Sequence, residues 1–145
     1  MRIEHEELAT LVPHSGKMFI IGRICEANAS EWRIESETKI TPDFMFYEKS
    51  VDGTPNYACF EIIAQTVAAL TGLYSRENGL PPNIGFILSV SNLNFGFDVI
   101  KSGTVVRVSA VRESEMDNVH SFRAEIFLDG ERSGSGKLTV MEIAK

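Results

Sequence analysis

The feature that most constrains this chain is a long apolar run, residues 57–74, whose only charged residue is Glu61. Apolar side chains would surround a helix built from this run, and a helix that is hydrophobic on every side is buried. Because the run also contains Gln, Thr and Gly, and because strand-like segments follow it, we interpret it as a core helix rather than a membrane span. One buried helix needs a second layer to cover it.

The start and end signals of this helix are clear. Thr54 has the character of an N-cap, and Pro55 fits the first helical position, where a missing N–H costs nothing. Asn78 and Gly79 predict the end of the helix, and prolines follow them.

The rest of the chain favours strands. A short helix is expected in the first dozen residues, ending at Pro13, and residues 18–24 and 32–40 predict a hairpin that turns at residues 28–30. Residues 41–53 have no regular pattern. Four later strands are expected at residues 84–95, 104–113, 119–128 and 133–143, and Asp129-Gly130 predicts a tight turn. Gly134 and Gly136 indicate a bulge or a close approach of another backbone.

The composition of the chain argues against several classes of function. A chain of 145 residues with 43% hydrophobic content is expected to form one domain, residues 1–145, of the α+β class. Its net charge of -6 argues against nucleic-acid binding. Cys25 and Cys59 lie too far apart for a zinc motif, and motifs for metals or nucleotide cofactors are missing, so we expect no metal and no cofactor. The N-terminus has no apolar stretch, which indicates a cytoplasmic protein.

Glu61, the only charged residue of the predicted core helix, is the first candidate for a functional residue. Ionising a lone carboxyl group in an apolar protein interior costs free energy, so the pKa of Glu61 should be raised. A raised pKa suits a general acid. Gln65, one turn later, shares its face and could orient it, while Ala64 and Ala68 leave that side open for a ligand or another backbone. The alternative is that Glu61 meets solvent or an arginine such as Arg23.

Three histidines offer a basic partner. His5 lies in an acidic terminal segment and His120 follows a turn, so both are expected to be solvated. His14 lies where the short helix passes into the first strand. There it can be a hydrogen-bonded corner or a catalytic base.

The order of several motifs resembles the ApeP-like branch of the 3-hydroxyacyl-ACP dehydratases. The motifs are LVPHSGKM at residues 11–18, Pro-Asn-Tyr at 55–57, Glu-Ile-Ile-Ala-Gln at 61–65 and Gly-Phe-Ile at 85–87. The resemblance implies a hotdog fold, in which a curved antiparallel sheet wraps around one long central helix. It also implies a dehydratase of an aryl-polyene, fatty-acid or polyketide-like pathway.

The resemblance implies residue roles as well. His14 would remove a proton from the carbon next to the thioester carbonyl, and Glu61 would protonate the leaving hydroxyl. Backbone N–H groups at Asn56 and Tyr57 would hold the developing oxyanion, because they lie in the first turn of the helix. The housekeeping dehydratases of this fold have a histidine at the position of Tyr47, which here would line an acyl tunnel or pack in the core.

Partners follow from the same resemblance. The substrate would be carried by an acyl carrier protein through phosphopantetheine, or by coenzyme A, and no nucleic acid or membrane is expected to bind. A homodimer or larger oligomer is expected, or a heterodimer with another hotdog subunit. Two other functions stay open: a catalytically silent subunit, which the absence of histidine at Tyr47 favours, and a thioesterase in which Glu61 activates water.

Overall fold

The computed structural model describes residues 2–8, 11, 19–80 and 86–142, and at residues 86–91 and 142 it describes the backbone alone. The described elements, in chain order, are α1 (His5–Leu8), β1 (Arg23–Asn28), β2 (Arg33–Lys39), a 3-10 turn (Lys49–Val51), β3 (Gly53–Pro55), α2 (Ala58–Glu77), β4 (Phe86–Phe95), β5 (Val99–Lys101), β6 (Val105–Met116), β7 (Val119–Leu128) and β8 (Glu131–Glu142).

Six of the strands form one antiparallel sheet in the order β1-β2-β6-β7-β8-β4, and β3 pairs with β5 in a small second sheet. Helix α2 packs against the inner face of the large sheet. Alternate residues of each strand face inwards because strand side chains point to opposite faces in turn. The inward residues of β6 and β7 include Val106, Val108, Ala110, Phe122, Ala124 and Ile126.

The expected buried helix is confirmed. Twelve of the 20 residues of α2 are buried, on several sides of the helix. The helix is long and apolar enough to cross a membrane, but 67% of its most apolar window is buried inside the fold, as is usual for a core helix. A buried hydrogen bond of 2.7 Å between Thr66 of α2 and Ser36 of β2 fixes the helix against the sheet.

The helix begins later than its local signals predict. Thr54 and Pro55 lie in β3, paired with Ile100 and Val99 of β5, and not at the helix start. The Thr54 hydroxyl donates to the carbonyl of Phe46 at 2.7 Å, so it does not cap the helix. Pairing with a strand that is distant in sequence therefore overrides the N-cap pattern. The end of the helix at Glu77, followed by Asn78 and Gly79, agrees with the prediction.

The first strand is also displaced. It begins at Arg23, and residues 19–22 before it form no strand, while residue 18 lies outside the described residues. The Ile20 N–H donates to the side chain of Gln65, and the Gly22 N–H donates to the Glu37 carbonyl and Thr38 hydroxyl. The predicted hairpin is otherwise confirmed, with β1 and β2 antiparallel.

The later strands agree with the expected pattern within a few residues, although residues 84, 85 and 143 and the expected helix end at Pro13 lie outside the described residues. Asp129 and Gly130 both have positive φ, 49° and 84°, as the tight turn requires. Gly134 confirms the expected close approach, because a Cβ there would lie 2.8 Å from the Asn94 carbonyl oxygen. The register of β4 and β8 shifts at that point.

Candidate active site

Glu61 lies in the first turn of α2, and its side chain is half-buried rather than enclosed. Gln65, one turn further along, has no exposed surface. Its Nε2 donates a hydrogen bond of 3.1 Å to Oε1 of Glu61. Arg23, the alternative partner considered for Glu61, instead pairs with Glu37 at 2.7 Å. The expected Glu61–Gln65 pair on one helix face is therefore present.

The orientation of the Gln65 amide is fixed by the backbone. Its Oε1 accepts a hydrogen bond of 3.0 Å from the Ile20 N–H, and only the oxygen of an amide can accept. The amide nitrogen must then face Glu61.

His14 and residues 12–18 around it lie outside the described residues. The residues on either side of this segment both rest on α2. A Cβ on Gly72 would collide with the Leu11 carbonyl oxygen, so the chain before the segment touches the helix at Gly72. After the segment, Ile20 is bonded to Gln65. These two positions on α2 are about 10 Å apart along the helix axis.

Asn56 does not have the free N–H that was expected. Its backbone N–H donates to the Asp98 carbonyl at 2.9 Å, and its Nδ2 donates to the Phe97 carbonyl at 2.9 Å. That expectation is wrong because Asn56 extends the pairing of β3 with β5. Within the described part of the chain, the N–H groups of Tyr57 and Ala58 donate no hydrogen bond. These are the residues four and three positions before Glu61, on the same helix face.

Tyr47 is held within its own loop. Its hydroxyl donates to Oδ1 of Asp52 at 2.6 Å, and this hydrogen bond to a carboxylate raises the pKa of Tyr47. The neighbouring Phe46 packs against the core and meets the Tyr57 ring edge-on, with centroids 6.3 Å apart. Nothing in this arrangement places the Tyr47 hydroxyl beside Glu61.

Apolar side chains are exposed close to Glu61. Tyr57 is 56% exposed and Phe60 is 39% exposed, although both belong to the start of an otherwise buried helix. Leu93 of β4, 37% exposed, reaches over Gly136 towards Ile63 of α2. Adjacent exposed apolar groups on a folded domain mark a surface that binds a ligand or another protein.

His120 lies at the opposite end of α2 and is only 8% exposed, so the expectation that it is solvated is wrong. It is covered by Trp32, with ring centroids 5.5 Å apart, and Arg112 lies 4.4 Å above the same indole ring. Trp32 also packs on Tyr74 of α2. This stacked cluster joins the β1–β2 hairpin and the β6–β7 hairpin to the C-terminal end of α2. It lies about 20 Å along the helix axis from Glu61.

The outer face of the sheet has a polar groove of about 430 Å³, lined by Asn92, Glu113, Arg123, Glu125, Arg132, Ser135, Gly136 and Lys137. Its cations are already paired: Arg123 and Lys137 with Glu113, and Arg132 with Glu125. Among the described residues, no group of three His, Cys, Asp or Glu side chains could hold a metal ion. The arrangement around Glu61 is therefore the stronger candidate for chemistry.

Comparison with known proteins gives a family and a fold for this chain. The sequence profile of the ApeP-like family, described as ApeP dehydratase, matches residues 6–145. A search of curated proteins gives no match. Among solved structures, the ApeI:P dehydratase heterocomplex from Xenorhabdus doucetiae is similar with a TM-score of 0.86 and 15% identity, covering 95% of this chain and 91% of that chain.

Thioesterase structures share the fold at lower similarity. A hypothetical thioesterase with coenzyme A from Streptococcus pneumoniae TIGR4 has a TM-score of 0.63 and 10% identity, covering 84% of this chain and 85% of that chain. A putative thioesterase related to phenylacetic acid degradation, from Ralstonia eutropha JMP134, has a TM-score of 0.61 and 18% identity, covering 81% and 82%. The hotdog fold expected from the sequence is confirmed by these matches.

Proposed function

Since this chain belongs to the ApeP-like dehydratase family, we propose that it removes water from a 3-hydroxyacyl thioester to give the trans-2-enoyl thioester. The observation that carries this proposal is the half-buried Glu61 in the first turn of α2, oriented by the fully buried Gln65. This hydrogen bond fixes the position of the acid at the start of α2.

The reaction needs one base and one acid. We assign the base to His14, whose neutral imidazole takes the proton from the carbon next to the thioester carbonyl. The electrons of that C–H bond form the double bond as the C–O bond at the third carbon breaks. Glu61 gives its proton to the leaving hydroxyl, which departs as water. The segment with His14 begins at Leu11 and ends before Ile20, both in contact with α2, which supports a base close to Glu61.

Negative charge develops on the thioester oxygen as the proton leaves. The N–H groups of Tyr57 and Ala58 are suited to receive it, because they lie at the positive end of the α2 dipole and donate to no described acceptor. They also share a helix face with Glu61. We therefore move the oxyanion donors one residue along the chain from the pair that the sequence suggested.

The substrate and assembly follow the same proposal. The acyl group would arrive on phosphopantetheine, from an acyl carrier protein or from coenzyme A, in a cytoplasmic fatty-acid or polyketide-like pathway. A second hotdog subunit would cover the exposed Tyr57, Phe60 and Leu93. The similar structure from Xenorhabdus doucetiae is itself a dehydratase heterocomplex, which supports a partner of the same fold.

A thioesterase is the second candidate, because a half-buried Glu61 could also activate water for attack on the thioester carbonyl. Incubation with a 3-hydroxyacyl thioester separates the possibilities. Dehydration produces conjugated enoyl absorbance, hydrolysis produces free thiol, and a silent subunit produces neither. The assay should be run on the chain alone and together with a hotdog partner.

Substitution of the two proposed catalytic groups tests their roles. We expect Glu61→Gln and His14→Asn each to lower kcat by about 100-fold or more, because each removes a proton-transfer group. Glu77→Gln is the matched control, since Glu77 is exposed at the last position of the same helix, and it should retain full activity. Full activity in Glu61→Gln would reject the assigned acid.

A further inference from the structure

The segment 19–22 is held at Gly22 by the backbone of β2, at Ile20 by the Gln65 side chain, and at Ile21 by His5 of α1. Nδ1 of His5 donates a hydrogen bond of 2.9 Å to the Ile21 carbonyl, because a carbonyl oxygen can only accept. The His5 ring also stacks on Phe19, with centroids 4.4 Å apart and planes 14° apart. One residue therefore fixes both a backbone carbonyl and a side chain of this segment.

The segment 19–22 is also connected to Glu61, the candidate acid, through Gln65. The N–H of Ile20, which lies between Phe19 and Ile21, donates to Gln65 Oε1, and Gln65 Nε2 donates to Glu61. Gln65 has no exposed surface, so water cannot replace the Ile20 N–H as its partner. The orientation of the Gln65 amide therefore depends on where Ile20 is held.

His5 is itself well anchored. Before it, Ile3 pairs with Ile24 of β1 through two backbone hydrogen bonds of 3.0 Å and 2.8 Å. After it, Leu8 is fully buried in the core. The short helix between these points cannot shift freely, so the imidazole is presented to the segment 19–22 in a defined position.

We propose that His5 is a positioning residue for Glu61, acting through the backbone at Ile20 and Ile21 and through the Gln65 amide. The inference rests on the proposed dehydratase function, in which Glu61 is the acid. His5 touches no reacting atom in this scheme. It holds the Ile20 N–H against Gln65, so that the Gln65 donor meets Oε1 of Glu61.

Three substitutions separate the hydrogen bond from the stacking. His5→Phe keeps a ring on Phe19 and removes the donor to Ile21. His5→Asn places an amide donor close to the position of Nδ1, and His5→Gln moves that donor one methylene further. We expect kcat to fall about tenfold in His5→Phe with KM within about twofold, because a small misplacement of a catalytic group lowers the chemical rate. His5→Asn should restore most of the rate and His5→Gln should not.

The matched control is Glu7→Ala. Glu7 belongs to the same short helix and pairs with Arg76 of α2 at 3.0 Å, far from Gln65 along that helix. This variant should keep the wild-type kcat even if it lowers the melting temperature. A rate loss in Glu7→Ala equal to that in His5→Phe would show that any damage to α1 has the same effect, and it would overturn the proposal.

The side-chain amide resonances of Gln65, observed by NMR, give a readout that needs no activity. They should shift in His5→Phe, return in His5→Asn and stay in place in Glu7→Ala. If His5→Phe does not fold, the comparison of His5→Asn with His5→Gln decides. Unchanged Gln65 resonances and unchanged kcat in the folded variants would refute the role of His5. Shifted resonances with an inactive wild-type protein would reject the dehydratase function and keep the positioning of Gln65.

Discussion

The carboxylate of Glu37 lies on the outer face of the sheet between two guanidinium groups. Arg23 of β1 binds one of its oxygens and Arg107 of β6 binds the other. These hydrogen bonds lower the pKa of Glu37 to about 2, with Arg107 the larger cause. Cys25 lies beside this carboxylate. Burial and the negative charge of Glu37 raise the pKa of the Cys25 thiol to about 11, so the thiol stays protonated near neutral pH.

The low pKa of Glu37 predicts a specific loss of stability in acid. The bonded carboxylate stabilises the folded protein above its unfolded pKa, about 4.5, and this contribution disappears as the pH falls towards about 2. Glu37→Gln should lower the free energy of unfolding at pH 7 by about 1–3 kcal/mol and flatten its pH dependence in that window. Urea unfolding between pH 2 and 7 measures both.

Glu125→Gln is the control for Glu37→Gln. Glu125 forms an ion pair with Arg132, which is largely exposed, and such pairs contribute about 0–1 kcal/mol. A stability loss at pH 7 as large in Glu125→Gln as in Glu37→Gln would contradict the assignment of a special role to the two-arginine site.

At the residue scale, local spacing predicts some contacts and not others. The Glu61–Gln65 hydrogen bond follows from a separation of four residues on one helix, which the sequence shows directly. The Ile20 N–H that orients Gln65 comes from a segment that meets the helix only in the folded chain. His5 is exposed, as the sequence predicts, but its stacking on Phe19 and its bond to Ile21 have the same origin and carry no sequence signal.

Among the secondary-structure elements, α2 was the easiest to predict and its start was the hardest. Its apolar run is long and continuous, so its existence needed no tertiary information. The pattern Thr54-Pro55 is a true N-cap signal in isolation, but β5 offers a pairing partner for these residues, and Asn56 then binds two consecutive carbonyls of the β4–β5 loop. That competition is set by residues distant in sequence, which local propensity does not include.

Gly72 provides a test of how closely the N-terminal segment approaches α2. Glycine in the middle of a helix is unfavourable, and replacement by alanine at an open site stabilises the helix by about 1 kcal/mol. Here a Cβ would collide with the Leu11 carbonyl oxygen, a backbone atom that cannot swing aside. We therefore expect Gly72→Ala to destabilise the protein by about 1–3 kcal/mol, measured by chemical denaturation.

The sign of the effect makes Gly72→Ala informative. Ala68→Gly, on the same partly exposed face, is the reference for helix propensity alone and should lower stability by no more than about 1 kcal/mol. A more stable Gly72→Ala protein would mean that the segment around Leu11 does not rest on the helix, and it would remove one support for placing His14 near Glu61.

On the scale of the whole molecule, the two edges of the large sheet differ. The β1 edge is partly covered, because Ile3 pairs with Ile24. At the other edge, β4 has β8 on one side and no described strand on the other. An edge strand of ten residues with no neighbour among the described residues is a surface that another chain can cover. Leu93 of this edge strand lies close to Ile63 in the first part of α2. The exposed aromatic residues Tyr57 and Phe60 lie at the start of the same helix.

This arrangement predicts that association buries the start of α2 together with β4. Leu93→Lys places a charge in the contact and should weaken association with a second copy, or with a hotdog partner, by about tenfold or more. Met116→Lys is the matched control, because Met116 is 76% exposed at the β6–β7 turn and lies away from β4. Sedimentation velocity across a concentration series measures the dissociation constants.

The assembly prediction also bears on catalysis. If the partner covers Tyr57, Phe60 and Leu93, the substrate is shielded from water only in the complex, and the rate should depend on protein concentration in the same way as association. Leu93→Lys should then lose activity at low concentration and regain it at high concentration, whereas Glu61→Gln should stay inactive throughout. A chain that is monomeric with and without a partner, and equally active as Leu93→Lys, would contradict this view of the interface.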